Sequence, residues 1–213
     1  MANKKSHTGA PIPWWAKIGA KVILSRFPFG YSLWQKLGLF RHGKMDQLSY
    51  VQGVFDQHVG RAGLGNQLRG MSILEFGPGD SIATAVIAAC HGARAVLIDS
   101  GDYAVRDVRL YQSFASRLKK HGLDAPDLAG AESREDILAI CGAKYLSNGL
   151  SSLQTIADGS VDLIFSQAVL EHVRRHEFLE TIKESYRILR TGGFVSHRVD
   201  LKDHVGGGLN NLF

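Results

Sequence analysis

Two rhythms of apolar and polar positions alternate along most of this chain. Short apolar runs bounded by glycines and polar residues predict strands at Ser72–Phe76, Ala95–Asp99, Lys144–Ser147, Ser160–Gln167 and Phe194–Leu201. Between them, helical spacing predicts helices at Ser81–His91, built of small residues (ATAVIAAC) and closed by Gly92, and at Tyr103–His121, stopped by Gly122. Ser133-Arg-Glu-Asp136 reads as a capping box opening a short helix to Ile140. Glu171–Arg190 predicts a longer helix with Phe178, Ile182 and Ile188 among its apolar positions, ended by Thr191-Gly-Gly193. Strands alternating with helices imply a parallel sheet with right-handed crossovers.

Upstream the rhythm is helical only. Pro13 can open a helix over Trp14–Arg26, with Trp14, Trp15, Ile18 and Val22 near one face. A shorter helix is expected over Ser32–Leu37. Asp46 can cap another running to Val59, with Leu48, Val51, Phe55 and Val59 at helical spacing. Residues 1–45 are read as a basic, aromatic, partly helical segment, and residues 46–213 as the main domain.

Charge sharpens that division. The chain of 213 residues carries a net charge of +5, yet residues 1–50 hold eight Lys/Arg against one acid, Asp46. All three tryptophans are there as well. A basic aromatic stretch suits a helical cap with solvated lysines, the surface of an anionic bilayer through residues 14–44, or an anionic partner. Nucleic acid is the weaker of the anionic partners. No run of apolar residues is long enough for a membrane span, and the start lacks a secretory h-region. The two cysteines, Cys90 and Cys141, form no C-x-x-C pair, which suits reduced thiols in a cytoplasmic protein, peripheral to the inner membrane surface if the basic segment binds it.

The chemistry is concentrated in Ile73–Ser81, ILEFGPGDS. A strand ending in G-x-G and running into a helix brings backbone N–H groups close to a ligand. Gly77 and Gly79 remove the Cβ atoms that would block the approach, and Pro78 stiffens the turn. A nicotinamide fingerprint would need a third glycine at position 82, where Ile82 stands. An acid two residues before the first glycine, Glu75, points instead to an S-adenosylmethionine (SAM) loop.

LEFGPGDS resembles the first motif of the class I SAM-dependent methyltransferases, with Ser81 in place of the last glycine. ADGSVDLIFSQAVLEHV (Ala157–Val173) is similar to the family's fourth-strand motif. YRILRTGGF (Tyr186–Phe194) is similar to its later R-V-L-R-P-G-G turn, with Thr191 where proline is usual. The resemblance implies SAM as cofactor, with Asp99 holding the ribose hydroxyls and Glu75, Phe76, Gly77, Pro78, Gly79, Ser81, Ser100, Asn148, Ser166 and Gln167 around it. The family often has an acid after the third strand; SNGLSSLQ (Ser147–Gln154) has none, leaving Asn148, Leu150 or a backbone group to meet the adenine.

The implied fold is an α/β Rossmann-like three-layer sandwich, a mostly parallel sheet in the order 3-2-1-4-5 with an N-terminal helical cap. The family's final antiparallel hairpin is expected to be missing, which would leave the fifth strand as an unpaired edge open to a loop, the N-terminal segment or a second copy in a homodimer.

Methyl transfer from a sulfonium depends heavily on positioning. A hydroxyl acceptor would gain from a base with a near-neutral pKa. The candidates are His172, and His197, Asp200 and His204 in the HRVDLKDH run; His58 reads more readily as structural. No metal is required. The expected acceptor is a small-molecule, glycan or lipid-linked oxygen or nitrogen. A catalytically silent SAM-binding domain and a nicotinamide-dependent oxidoreductase are the competing readings.

Overall fold

The structure is a computed structural model that describes residues 47–65 and 67–201. The helices expected over Trp14–Arg26 and Ser32–Leu37, and His204, lie outside the described residues. Helix α1 (Leu48–Arg61) precedes β1 (Ser72–Phe76), α2 (Ala83–Cys90), β2 (Arg94–Ile98), α3 (Val108–Lys120), α4 (Arg134–Ile140), β3 (Lys144–Leu146), α5 (Gly149–Leu153), β4 (Val161–Gln167), α6 (Arg175–Ile188) and β5 (Leu189–Arg198). The five strands form one sheet in the order β3-β2-β1-β4-β5, and every neighbouring pair is parallel.

Strand alternation divides the interior in two. Ile73, Leu97, Leu163 and Phe165 face one way and pack with α1, α2, α3 and α4. Leu74, Phe76, Ile98 and Ile164 face the other way and pack with Leu153 of α5 and Ile188 of α6. The strands are therefore apolar on both faces, as a sheet covered on both sides requires. Cys90 and Cys141 are free and buried, and burial pushes their thiols up to about 11 and about 12.

Most expected elements appear within a residue or two. Ser133 and Asp136 make the capping box, each side chain bonding the other's backbone. α1 begins at Leu48 after Gln47, which makes no side-chain cap hydrogen bond; Asp46, the expected cap, lies outside the described residues. Three expectations are corrected. α3 starts at Val108, capped by Asp107, because the backbone of Tyr103 and Ala104 is held by the Tyr145 hydroxyl in a loop instead. The helix expected from Glu171 is split into a 3-10 turn at Leu170–His172 and α6. α6 turns Thr181, Ser185 and Ile188 inward while Phe178 and Ile182 stay exposed.

The third correction concerns Thr191-Gly-Gly193, which lies inside β5 rather than before it. The register with β4 shifts between Val161 and Leu163, which pair with Leu189 and Phe194. The glycines permit the bulge. Gly192 has φ +79°, and a Cβ on Gly193 would come within 3.0 Å of the Asp162 carbonyl oxygen. Asp162 also accepts from the Ser72 N–H at 2.6 Å and pairs with Arg190 at 2.6 Å, which pins the bulge to the start of β1. β5 is the last strand in the sheet order, and Phe194 and Val195 on it are exposed.

Candidate cofactor and acceptor site

The carboxyl ends of parallel strands are where an open α/β sheet binds ligands. Here the ends of β1 and β2 meet at Gly77, whose N–H bonds the Ile98 carbonyl at 2.8 Å. Gly77 and Gly79 both take the left-handed conformation, with φ +63° and +65°. A Cβ on Gly77 would lie 2.5 Å from Cγ2 of Val169, which follows β4. The turn is thus a backbone surface wedged between two strand ends.

Asp99, one residue beyond β2, faces that turn. Its Oδ2 accepts from Gly79 N–H at 3.2 Å and its Oδ1 from Ser100 N–H at 2.7 Å. Glu75 lies beneath, 1% exposed, with Oε2 buried and without a hydrogen-bond partner. Burial raises its pKa to about 8, with the Asp99 charge adding to the rise and a Thr84 hydrogen bond opposing it.

The other expected cofactor residues divide. Pro78 is buried within the turn. Phe76 points into the core shared with α5 and α6. Ser81 is buried and its hydroxyl accepts from Ala83 N–H at 3.1 Å, so it serves the start of α2. Ser100 and Asn148 are exposed, and the Asn148 side chain does not cap α5. Ser166 is buried, with Oγ 2.8 Å from His197 Nδ1. Gln167 is half-buried at the end of β4.

Of the expected catalytic residues, His197 is the one drawn into the strand ends, and burial lowers its pKa. His172 is exposed on the 3-10 turn. Asp200 donates its N–H to Glu171 Oε1 at 3.2 Å. On the opposite face of the sheet His58 of α1 is fully buried, with Nδ1 2.7 Å from Ser196 Oγ and its ring stacked on Phe165.

Sequence reasoning missed what fixes the loop after β2. The Tyr145 hydroxyl donates to the Gly101 carbonyl at 2.9 Å and accepts from Tyr103 N–H at 3.0 Å. Arg134, 6% exposed in its side chain, lies 5.0 Å over the Tyr145 ring and pairs with Asp102. Tyr111, fully buried, donates to the Val105 carbonyl at 2.7 Å and accepts from Ile82 N–H at 3.3 Å. These residues lock Gly101–Val105 beside Asp99.

The family model of a methyltransferase domain matches residues 74–196. No curated protein matches the chain. Among solved structures, the trans-methyltransferase CalH complexed with SAH is 19% identical over 64% of this chain and 34% of that one, with a TM-score of 0.38. The DhpI-SAM-HEP complex is 20% identical over 78% of this chain and 69% of that one, at 0.35. Monomeric WbdD is 16% identical over 79% and 34%, also at 0.35. The chain thus spans about a third of the CalH and WbdD chains.

Proposed function

The chain belongs to the methyltransferase domain family, and from that premise we propose that it is an SAM-dependent methyltransferase whose cofactor sits on the Gly77–Gly79 turn. A methyltransferase domain of this class uses SAM, which supplies an electrophilic methyl group on a sulfonium. The observation that carries the reading is the pairing of Asp99 with the glycine turn. A carboxylate held at that edge by two backbone N–H groups is placed to accept from vicinal ribose hydroxyls. The orphaned Oε2 of Glu75 offers a further buried acceptor for a cationic or N–H-bearing part of the ligand.

In this reading Gly77, Pro78 and Gly79 supply the cradle, Asp99 and Ser100 hold the ribose side, and Asn148 lies on the adenine side. Phe76, Ser81 and Ser166 act from beneath by shaping the strand ends, and Gln167 borders the methyl group. The acceptor is a small-molecule, glycan or lipid-linked oxygen or nitrogen, and β5 is the edge through which two copies would pair.

Calorimetric titration with SAM, S-adenosylhomocysteine and NAD tests the cofactor assignment. Binding of the first two and not the third is expected. Binding of NAD alone would transfer the chain to the oxidoreductases. A screen of acceptors with methyl-labelled SAM separates an enzyme from a silent SAM-binding domain.

Among the described residues no helix is long and apolar enough to cross a membrane. Residues 14–44 carry the proposal of salt-sensitive contact with anionic bilayers. Co-sedimentation with anionic vesicles should fall when residues 1–44 are removed, and equal binding by both forms would reject it.

A further inference from the structure

Four strands end level with one another. Ile98, Phe76, Ser166 and His197 pair in register across β2, β1, β4 and β5, and the residues after the first two are Asp99 and Gly77 of the cofactor turn. Residues paired side by side in a parallel sheet point to the same face. Neighbouring strands lie ~4.8 Å apart, so the backbone of His197 stands roughly 10 Å from that of Phe76. The Phe76 and His197 rings close that gap to 6.3 Å between centroids. Ala168 tightens the same edge. It is the one described non-glycine residue with a positive φ, +55°, and its N–H donates to the Arg198 carbonyl at 2.7 Å. Such strain persists where the surroundings over-determine it, and active sites collect it. The turn made there leads to Val169, which lies against Gly77.

Hydrogen-bond accounting places the proton of the His197 ring. Ser166 is fully buried, and the one partner of its hydroxyl is His197 Nδ1, 2.8 Å away. With the ring proton on Nδ1, the Ser166 hydroxyl proton would be buried without an acceptor, which is costly. Ser166 Oγ–H therefore donates to a bare Nδ1. Burial lowers the His197 pKa and keeps the ring neutral, so the ring proton sits on Nε2. Nε2 makes no hydrogen bond among the described residues, and it is not sealed in the interior. It is a donor held in a fixed place and left for a ligand.

We propose that His197 Nε2–H selects the methyl acceptor by donating to a carbonyl oxygen beside the atom that is methylated, with Ser166 fixing the tautomer. This inference rests on the methyltransferase reading. A neutral donor suits a neutral oxygen. Just past the strand ends the Asp200 N–H bonds Glu171 Oε1 at 3.2 Å, and these two acids outnumber the exposed Arg198, which disfavours an anionic group. His197 is then a specificity residue and not the base, because Nδ1 is taken by Ser166 and Nε2 carries its own proton. A site built to donate to a substrate oxygen discriminates against the analogue that lacks it.

Long-range proton–nitrogen NMR on the full chain tests the tautomer without any variant. A neutral His197 ring protonated on Nε2 is expected, and a proton on Nδ1 overturns the proposal. Specificity is tested with methyl-labelled SAM and matched acceptors: hydroxy amides and amino amides against the alcohols and amines that lack the carbonyl. The wild type should favour the carbonyl compounds about ten-fold in kcat/KM, the scale of one hydrogen bond. His197→Phe should lose that preference through KM, and His197→Gln, which keeps an N–H donor, should restore most of it. Three results overturn the proposal: no preference in the wild type, the same preference in His197→Phe, or a fall in kcat for both kinds of acceptor alike, the mark of a lost base. Calorimetric titration with S-adenosylhomocysteine separates the failures. A wild type that neither binds it nor labels any acceptor ends the methyltransferase reading, and this proposal with it. Binding without label on any carbonyl compound overturns the acceptor assignment alone.

Discussion

Gly79 donates its backbone N–H to Asp99 Oδ2 at 3.2 Å, joining the glycine turn after β1 to the acid after β2. Two segments 20 residues apart in sequence are held as one surface by this bond. Replacing Asp99 by Ala removes both the acceptor for the ligand and the brace on the turn. Hydrogen bonds to charged groups contribute roughly 1.5–3 kcal/mol. Asp99→Ala should therefore weaken SAM binding by about ten-fold or more, read by calorimetry. An unchanged affinity would show that the ribose lies elsewhere.

Gly77 is limited twice over. Its φ of +63° is costly for any residue with a Cβ, and that Cβ would lie 2.5 Å from Val169 Cγ2. Gly77→Ala should lower the melting temperature and abolish measurable SAM binding. Adding Val169→Ala removes the clash and leaves the backbone strain. The double variant should recover part of the stability, and full recovery of both properties would show that the positive φ is unimportant.

The Tyr145 hydroxyl bonds the loop at Gly101 and Tyr103, the immediate neighbours of Asp102, which Arg134 grips. Tyr145→Phe deletes those bonds while leaving the ring beneath Arg134. The loss of a few neutral hydrogen bonds should cost about 1–2 kcal/mol of stability. The same change should loosen the loop beside Asp99 and raise the dissociation constant for S-adenosylhomocysteine several-fold. Faster amide exchange confined to residues 100–106 would accompany it. Unaltered exchange there would mean that Arg134 and Asp102 suffice.

Much of this was legible in the sequence. SILEF, RAVLI and VDLIFSQ are apolar on both faces, which a two-sided parallel sheet requires, and each ends in the residues of the site. Glu75, the glycines and Asp99, read from the sequence as one group, do come together at the ends of β1 and β2. Other features depended on contacts distant in sequence. Tyr145 reaches back to Gly101 across 44 positions, and His58 meets Ser196 across 138. No local pattern encodes such pairs. The start of α3 was misread because Tyr103 to Arg106 has ordinary helical spacing, and bonds from distant residues, the Tyr145 and Tyr111 hydroxyls and Arg134 among them, hold that stretch out of a helix. TGG was read as a boundary because glycines usually end elements, whereas here they make room for the Asp162 carbonyl within a strand.

Glu75 links the site to pH. Burial first, and the Asp99 charge second, raise its pKa from 4.5 to about 8 against the pull of Thr84. Below the unfolded value both states carry the proton, and the side chain imposes no ionisation penalty. Between 4.5 and about 8 the folded chain keeps a proton that the unfolded chain has lost, so stability falls as pH rises. Above that window both states are ionised and the full cost of a buried charge is present. Urea unfolding of the wild type and Glu75→Gln across this range should show the variant gaining relative stability towards the alkaline end. Parallel stability curves would place Glu75 in an ordinary carboxylate environment. The same shift predicts proton release on cofactor binding. A cationic ligand beside the orphaned Oε2 favours the ionised carboxyl, so SAM binding near neutral pH should expel a proton. The calorimetric enthalpy should then vary with the ionisation heat of the buffer in the wild type, and that part of the dependence should be absent in Glu75→Gln.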